Sequence, residues 1–180
     1  MPDRTEKELS LERMEKQPLT VKNMVHDEDD LYEREELKEK TFQLIVFRLA
    51  REWYGVEISK VKEVVKVGKI TYLPSSPEHI AGIVSLRGNI LSVTDLKTIF
   101  NLPHEEPSEK MRIMAIESGI LETGFLVDEV VESIEVPVSK LEPALLTIPS
   151  EGAKYLAGQC KVNDKLIAII NIEKVLEREV

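Results

Sequence analysis

The sequence predicts a mostly β domain, built as barrels or packed sheets with short helices, behind an acidic N-terminal extension. Three observations carry this. Apolar residues recur with period two from Phe42 onward, turn signals cut the chain into runs of strand length, and the segments of helical character are short.

Residues 1–40 come first. They are acidic, lack glycine and hold few large apolar residues. In DEDDLYEREELKEK (27–40) the acids precede Lys38 and Lys40, as a helix dipole favours, and Glu36 can pair with Lys40 one turn on. Leu31, Tyr32 and Leu37 make a poor apolar stripe, so the extension is expected to be a solvated helix or a disordered arm.

The run TFQLIVFRLAREWYGVEI alternates through Phe42, Leu44 and Val46, then Tyr54, Val56 and Ile58, with a polar break at Arg51 and Glu52. This is a hairpin pattern. Further strand runs are VVKV (64–67), GIVSL (82–86), NILSVTDL (89–96), MRIMAIE (111–117), TGFLVDEVV (123–131) and KLIAIINI (165–172). Within 80–96, Ile80, Ile83, Val84, Leu86, Ile90, Leu91, Val93 and Leu96 suit a sheet core. Helices are expected over SPEHIAG (76–82), from its Ser-Pro-Glu start, over DLKTIFNLP (95–103), capped by Asp95, and over IEKVLEREV (172–180). No repeat at a fixed period is visible.

Composition excludes several functions. The 180 residues are 42% hydrophobic and 32% charged, with 33 acids against 24 bases and a formal charge of −9. That balance lacks the basic footprint of a nucleic-acid binder. No apolar run approaches the roughly 18 to 20 residues of a membrane span, and MPDRTEKELS has no apolar core of a secretory signal. A single cysteine, Cys160, fits a reducing, cytoplasmic setting. Isolated glycines give no phosphate-binding loop, and His26, His79 and His104 are too scattered for a zinc motif. No serine sits in a nucleophile elbow. Neither catalysis, a metal nor a cofactor is expected.

Single residues carry ordinary readings. Cys160 reads as a small buried hydrophobe, Asp95 as a helix cap and Asp128 as a turn or hydrogen-bonding residue. Trp53 suits packing across a strand pair as well as partner contact. Arg87, in SLRGN, interrupts two apolar strands. Gly88 and Asn89 both tolerate the left-handed region, so they explain a turn without it. A solvated turn charge and an anchor for a partner are both open, since guanidinium is enriched at interface hot spots.

The run ITYLPSSPEHIAGIVSLRGNILSVTDLKTIFNLP resembles the signature block of the CheW-like domain, with I-T-x-L-P, G-[VI]-x-x-L-R-G and a strand ending in D-L. The resemblance extends through FQLIVFRLAREWYGVEISKVKEVV, GFLVDEVVESIEV and YLAGQCKVNDKLIAIINIEKVL, covering roughly residues 41–178. Ser85, Ser92, Lys97 and Ser133 depart from the usual asparagine, proline, arginine and apolar residue. The resemblance implies two packed five-stranded, SH3-like β-barrels. It also implies a non-enzymatic cytoplasmic adaptor that couples chemoreceptor tips to the histidine kinase CheA, whose regulatory domain resembles the adaptor itself. Such an adaptor joins membrane receptor arrays through its partners, without inserting in the membrane. Carried over by position, Val61, Glu63, Val64, Arg87 and Val130 would face the receptor, and Gly82 and Gly124 would lie near kinase-facing surfaces. The rival readings are an adaptor of another receptor–kinase system controlling gliding or type IV pili, a fragment of a larger signalling protein, and an enzyme with an unrecognised site.

Overall fold

A computed structural model describes residues 39–144 and 150–178. The extension expected over 1–40 therefore lies, apart from its last two residues, outside the described residues. From Lys40 onward the chain forms one compact unit.

The period-two segments become strands. β1 (Thr41–Leu49) and β2 (Glu52–Glu57) form the expected hairpin, with Ala50 and Arg51 at the turn and Ala50 at φ 51°. A 3-10 turn over Ile58–Lys60 leads to β3 (Val61–Lys66). There follow β4 (Ile80–Leu86), β5 (Asn89–Asp95), α1 (Leu96–Phe100), β6 (Arg112–Ser118), β7 (Leu121–Val127) and β8 (Glu129–Pro137). α2 (Ser150–Ala153), β9 (Leu156–Val162), β10 (Lys165–Ile170) and α3 (Ile172–Glu177) complete the order.

These strands make two five-stranded sheets, ordered β8-β1-β2-β10-β9 and β3-β6-β7-β5-β4. Each surrounds its own apolar cluster. Leu44, Val46, Val136, Cys160, Ile167 and Ile169 fill the first, and Val84, Leu91, Val93, Ile113, Ala115 and Leu126 the second. A larger cluster joins the two sheets, with Phe47, Tyr54, Met114, Ile116 and Phe125 packed against Leu96, Phe100, Tyr155 and Leu176. Tyr54 and Phe100 lie 5.0 Å apart between ring centroids, and Phe100 meets Tyr155 edge-on at 6.4 Å.

The two sheets share one topology, read from different starting points in the chain. The β1–β2 hairpin corresponds to β6–β7, and β9–β10–α3 corresponds to β4–β5–α1. Parallel pairing joins β2 to β10 and β5 to β7. Asp95 caps α1, accepting from the Lys97 amide at 2.9 Å, and Asn171 caps α3, accepting from Lys174 at 3.0 Å. Both barrels close in the same way. A loop residue beyond one edge strand pairs with the other edge, Thr71 with Ile83 and Glu142 with Gln159, through reciprocal backbone bonds of 2.8 to 2.9 Å. The duplication leaves no periodic sequence signal because the matched positions share burial rather than identity: Val84 with Cys160, Leu91 with Ile167, Val93 with Ile169.

Four expectations need correction. SPEHIAG is not a helix. Ile80 donates to the Pro77 carbonyl in a turn and begins β4, because strand pairing of Ile80 onward with β5 outweighs the helix-start signal of Ser-Pro-Glu. TGFLVDEVV is two strands divided at Asp128, not one. β9 lies where no strand was expected, its pattern obscured by Gly158 and Gln159, both buried. Ile90 does not join the core, being 75% exposed, since adjacent Ile90 and Leu91 cannot face the same side of a strand.

Asp128 marks the crossing from one sheet to the other, and it fulfils the hydrogen-bonding role expected of it. One oxygen accepts from the Ala50 amide at 2.6 Å, holding the β1–β2 turn. The other pairs with the Lys97 ammonium at 2.6 Å, with side chains only 4% and 10% exposed for Lys97 and Asp128. The pair ties α1 of one barrel to a hairpin of the other. Lys97→Met should lower the unfolding free energy by about 3–5 kcal/mol, because it strands a buried carboxylate. Adding Asp128→Asn, which retains an acceptor for Ala50, should recover much of that loss; an unchanged urea midpoint in Lys97→Met would contradict the assignment.

Candidate functional site

In the second barrel β3 and β4 are the two edges. Glu63 on β3 and Arg87 at the β4–β5 turn bridge that seam. The Arg87 Nη2 and Nε lie 3.0 and 3.2 Å from one Glu63 oxygen, Oε2. The glutamate side chain is 20% exposed and the arginine 79%, so most of the guanidinium still faces solvent. An exposed pair of this kind stabilises a fold by only about 0–1 kcal/mol.

The turn differs from its expected form. Arg87 and Gly88 are its two central residues, at φ 50° and 86°, and Asn89 already pairs with Leu86 as the first residue of β5. Two successive left-handed residues are the mark of the hairpin turn that favours Asn-Gly. Arginine is an unfavourable choice there, since a side chain in that region costs about 1–2 kcal/mol. The matching turn of the first barrel uses Asn163 and Asp164 at φ 48° and 62°, residues suited to it. The backbone therefore does not call for arginine at 87. Its side chain must be favoured by something other than the turn.

The remaining carried-over positions separate. Val64 is 38% exposed on the same strand as Glu63. Val61, also on β3, packs in part against the central cluster. Val130 does so as well, but it lies on β8 of the other sheet, paired with Phe47. Gly82 and Gly124 are both buried, and their close approaches are internal. At Gly82, with φ 145°, a Cβ would collide with the Thr71 carbonyl at the barrel closure and reach Ile70 Cγ2 at 2.8 Å. At Gly124, on the parallel junction with Val93, a Cβ would lie 2.7 Å from Ile113 Cγ2.

Sequence reasoning missed the exposed apolar residues around Arg87. Ile90 follows the turn, and with Leu91, Lys62 and Glu122 it lines a shallow depression beside Glu63 and Arg87. Ile120, fully exposed, tips the β6–β7 hairpin. Strict alternation from the buried Leu91 outward would have placed Ile90 on the surface. Lys62 sits between Glu117 and Glu122 at 3.5 and 3.3 Å. The surface thus carries apolar and charged groups side by side.

Elsewhere in the domain, several titratable groups have their proton affinities shifted by burial or by structural pairs. Burial pushes the Cys160 thiol up, away from the reactive thiolate. Burial, with help from Glu52, also raises the Tyr54 phenol. The Lys60 ammonium, hydrogen-bonded to Glu173 at 2.7 Å, holds that carboxyl below its usual range. Asp95 caps α1 and pairs with His104 at 2.8 Å. Trp53 packs against the first barrel's cluster, with the Lys165 ammonium 4.3 Å from its ring. Among the described residues no group of three or more His, Cys, Asp or Glu could hold a metal ion.

The family model described as the CheW-like domain matches residues 43–180. The chain is 31% identical over 137 residues to the chemotaxis protein CheW of Bacillus subtilis, covering 76% of this chain and 88% of that one. Identity to the chemotaxis protein CheW of Helicobacter pylori is 28% over 159 residues, covering 83% and 96%. The crystal structure of the scaffolding protein TtCheW from Thermoanaerobacter tengcongensis matches with a TM-score of 0.69 and 36% identity, over 76% of this chain and 88% of that chain.

If Arg87 serves contact rather than folding, Arg87→Asn should unfold within about 1 kcal/mol of the parent, since relief of the left-handed strain offsets the lost surface pair. Chemical denaturation checks this; a loss well above about 2 kcal/mol would make the arginine a structural residue.

Proposed function

Because the chain belongs to the CheW-like family, a family of chemotaxis scaffold and adaptor proteins, we propose that it couples chemoreceptor tips to the histidine kinase CheA and catalyses nothing itself. The observation that carries this reading is Arg87, kept in a backbone conformation that disfavours it, ion-paired to Glu63 and largely open to solvent. An arginine displayed in this way suits a partner contact.

In this reading the receptor meets β3 and the β4–β5 turn. Val64 offers exposed apolar surface, and Glu63 and Arg87 fix register through charged hydrogen bonds. Val61, half-buried on β3, contributes its outer edge, and Val130, half-buried on β8 of the other sheet, contributes its own. Gly82 and Gly124 act on a kinase-facing side indirectly. They let β4 and β7 pack closely enough to keep the second barrel's outer face in shape. The working location is the cytoplasm, at receptor arrays. No helix among the described residues is long and apolar enough to cross a membrane.

Binding of purified receptor-tip and CheA regulatory-domain fragments tests the assignment. Arg87→Ala and Glu63→Ala should each weaken receptor-tip binding about tenfold, a hot-spot loss of roughly 1.4 kcal/mol, while circular dichroism stays unchanged. Folded variants that bind both fragments like the parent would overturn the proposed site, and a parent that binds neither would overturn the coupling function.

A further inference from the structure

Away from the Arg87 surface, a polar pocket opens where the two barrels' equivalent segments meet. Glu78, His79, Thr98 and Asn101 from one repeat line it with Lys154 and Arg178 from the other. His79 and Tyr155 hold matching places, each giving its backbone carbonyl to the amide of a helix cap, Asp95 or Asn171, at 2.7 and 2.8 Å.

Charge is unbalanced here. The Lys154 ammonium and the Arg178 guanidinium both lie over the Tyr155 ring, 5.0 and 5.7 Å from its centroid. Arg178 also donates to the Tyr155 hydroxyl at 3.1 Å. Among the described residues neither cation forms an ion pair with a carboxylate. Glu78, on the lining, is exposed. His79 is 4% exposed, and its buried Nε2 has no hydrogen-bond partner among the described residues. An unmet buried polar group costs about 1–3 kcal/mol. Lys154 and Arg178 are both exposed, so their donors stand open to a ligand entering the pocket.

We propose that this pocket binds a phosphate group, with Lys154 and Arg178 as its charged donors, Thr98 and Asn101 as neutral ones, and His79 at its buried wall. A tetrahedral oxyanion offers acceptors to donors converging from several directions, and arginine presents a fork matched to it. Burial, and then the charge of Arg178, lowers the proton affinity of His79. The negative charge of a bound phosphate acts in the opposite direction, raising that affinity. Burial and Arg178 set the imidazole's titration, and Lys154 and Glu78 are the other charged groups on the pocket that a bound anion would meet.

Inorganic phosphate titrated into the full chain at constant ionic strength, followed by imidazole NMR, tests the site. The His79 resonance should move saturably and its titration midpoint should rise. Arg178→Gln should raise that midpoint without phosphate, by removing the charge that lowers it. Arg178→Gln and Lys154→Gln should each weaken phosphate binding at least about tenfold, and Lys161→Gln, on an exposed strand position, should not. Glycerol phosphate binding more tightly than inorganic phosphate identifies an organic phosphate as the ligand; the reverse identifies the free ion. Acetate acting equally well, chloride producing the same shift, or Arg178→Gln retaining full affinity would each overturn the proposal.

Discussion

The parallel pairing of β2 with β10 is the contact on which the rest of the architecture depends. It joins Trp53, Tyr54 and Gly55 to Ile167, Ala168 and Ile169, so the first barrel is completed only when both ends of the domain are in place. The second barrel is the uninterrupted segment between them, β3 to β7, and has the same parallel junction in β5 with β7. Each junction places a glycine where strands from separate hairpins meet. A Cβ on Gly55 would come 3.2 Å from Ile167 Cγ2 and from Leu44 Cδ1, and one on Gly124 would press harder on Ile113. Close packing at these junctions turns each pair of hairpins into a barrel. The helix following β5 or β10 then covers the gap between barrels, with Leu96 and Ile172 beginning the cover. Contacts so distant in sequence close slowly relative to hairpins, so the second barrel is the part able to form first.

That dependence explains what could be read from the chain and what could not. The hairpin over Thr41–Glu57, the capped helix after Asp95 and the burial of Cys160 are local in origin, set by alternation, a capping side chain and apolar size. The resemblance supplied the two barrels, and both sheets are five-stranded as it implied. β9 escaped because its partner β10 and the closing bridge from Glu142, not its own residues, make it a strand. SPEHIAG misled because its capping signal is local, whereas the strand that replaces it is dictated by β5. The Lys97–Asp128 pair was illegible for the same reason. Nothing near Lys97 announces that a carboxylate from the sheet crossing will be buried against it.

The candidate site follows the same division. Glu63 and Arg87 are far apart in sequence, and the resemblance named both. Their direct pairing is a consequence of barrel closure, which brings the β3 and β4 edges together. The exposure of Ile90 was available in the alternation around Leu91 but was hidden by treating a continuous apolar run as core. Gly82 is a different case. The resemblance implied a place near a kinase-facing surface, and the residue's φ of 145° and close approach to the Thr71 carbonyl add a role at the barrel closure.

Arg87 is best understood by comparison within the molecule. The duplicated fold supplies a second hairpin with the same two left-handed turn residues, and there Asn163 and Asp164 satisfy the backbone. Because both turns connect matching strands in matching registers, whatever the turn requires is met without a guanidinium. The ion pair with Glu63 cannot account for the difference either, since an exposed pair of this kind does not outweigh the strain of the left-handed backbone. Folding alone would therefore place asparagine or glycine at 87. In the function we propose, what favours arginine is a property for a partner to use: five donors in a planar fork, held beside Glu63 and largely open to solvent.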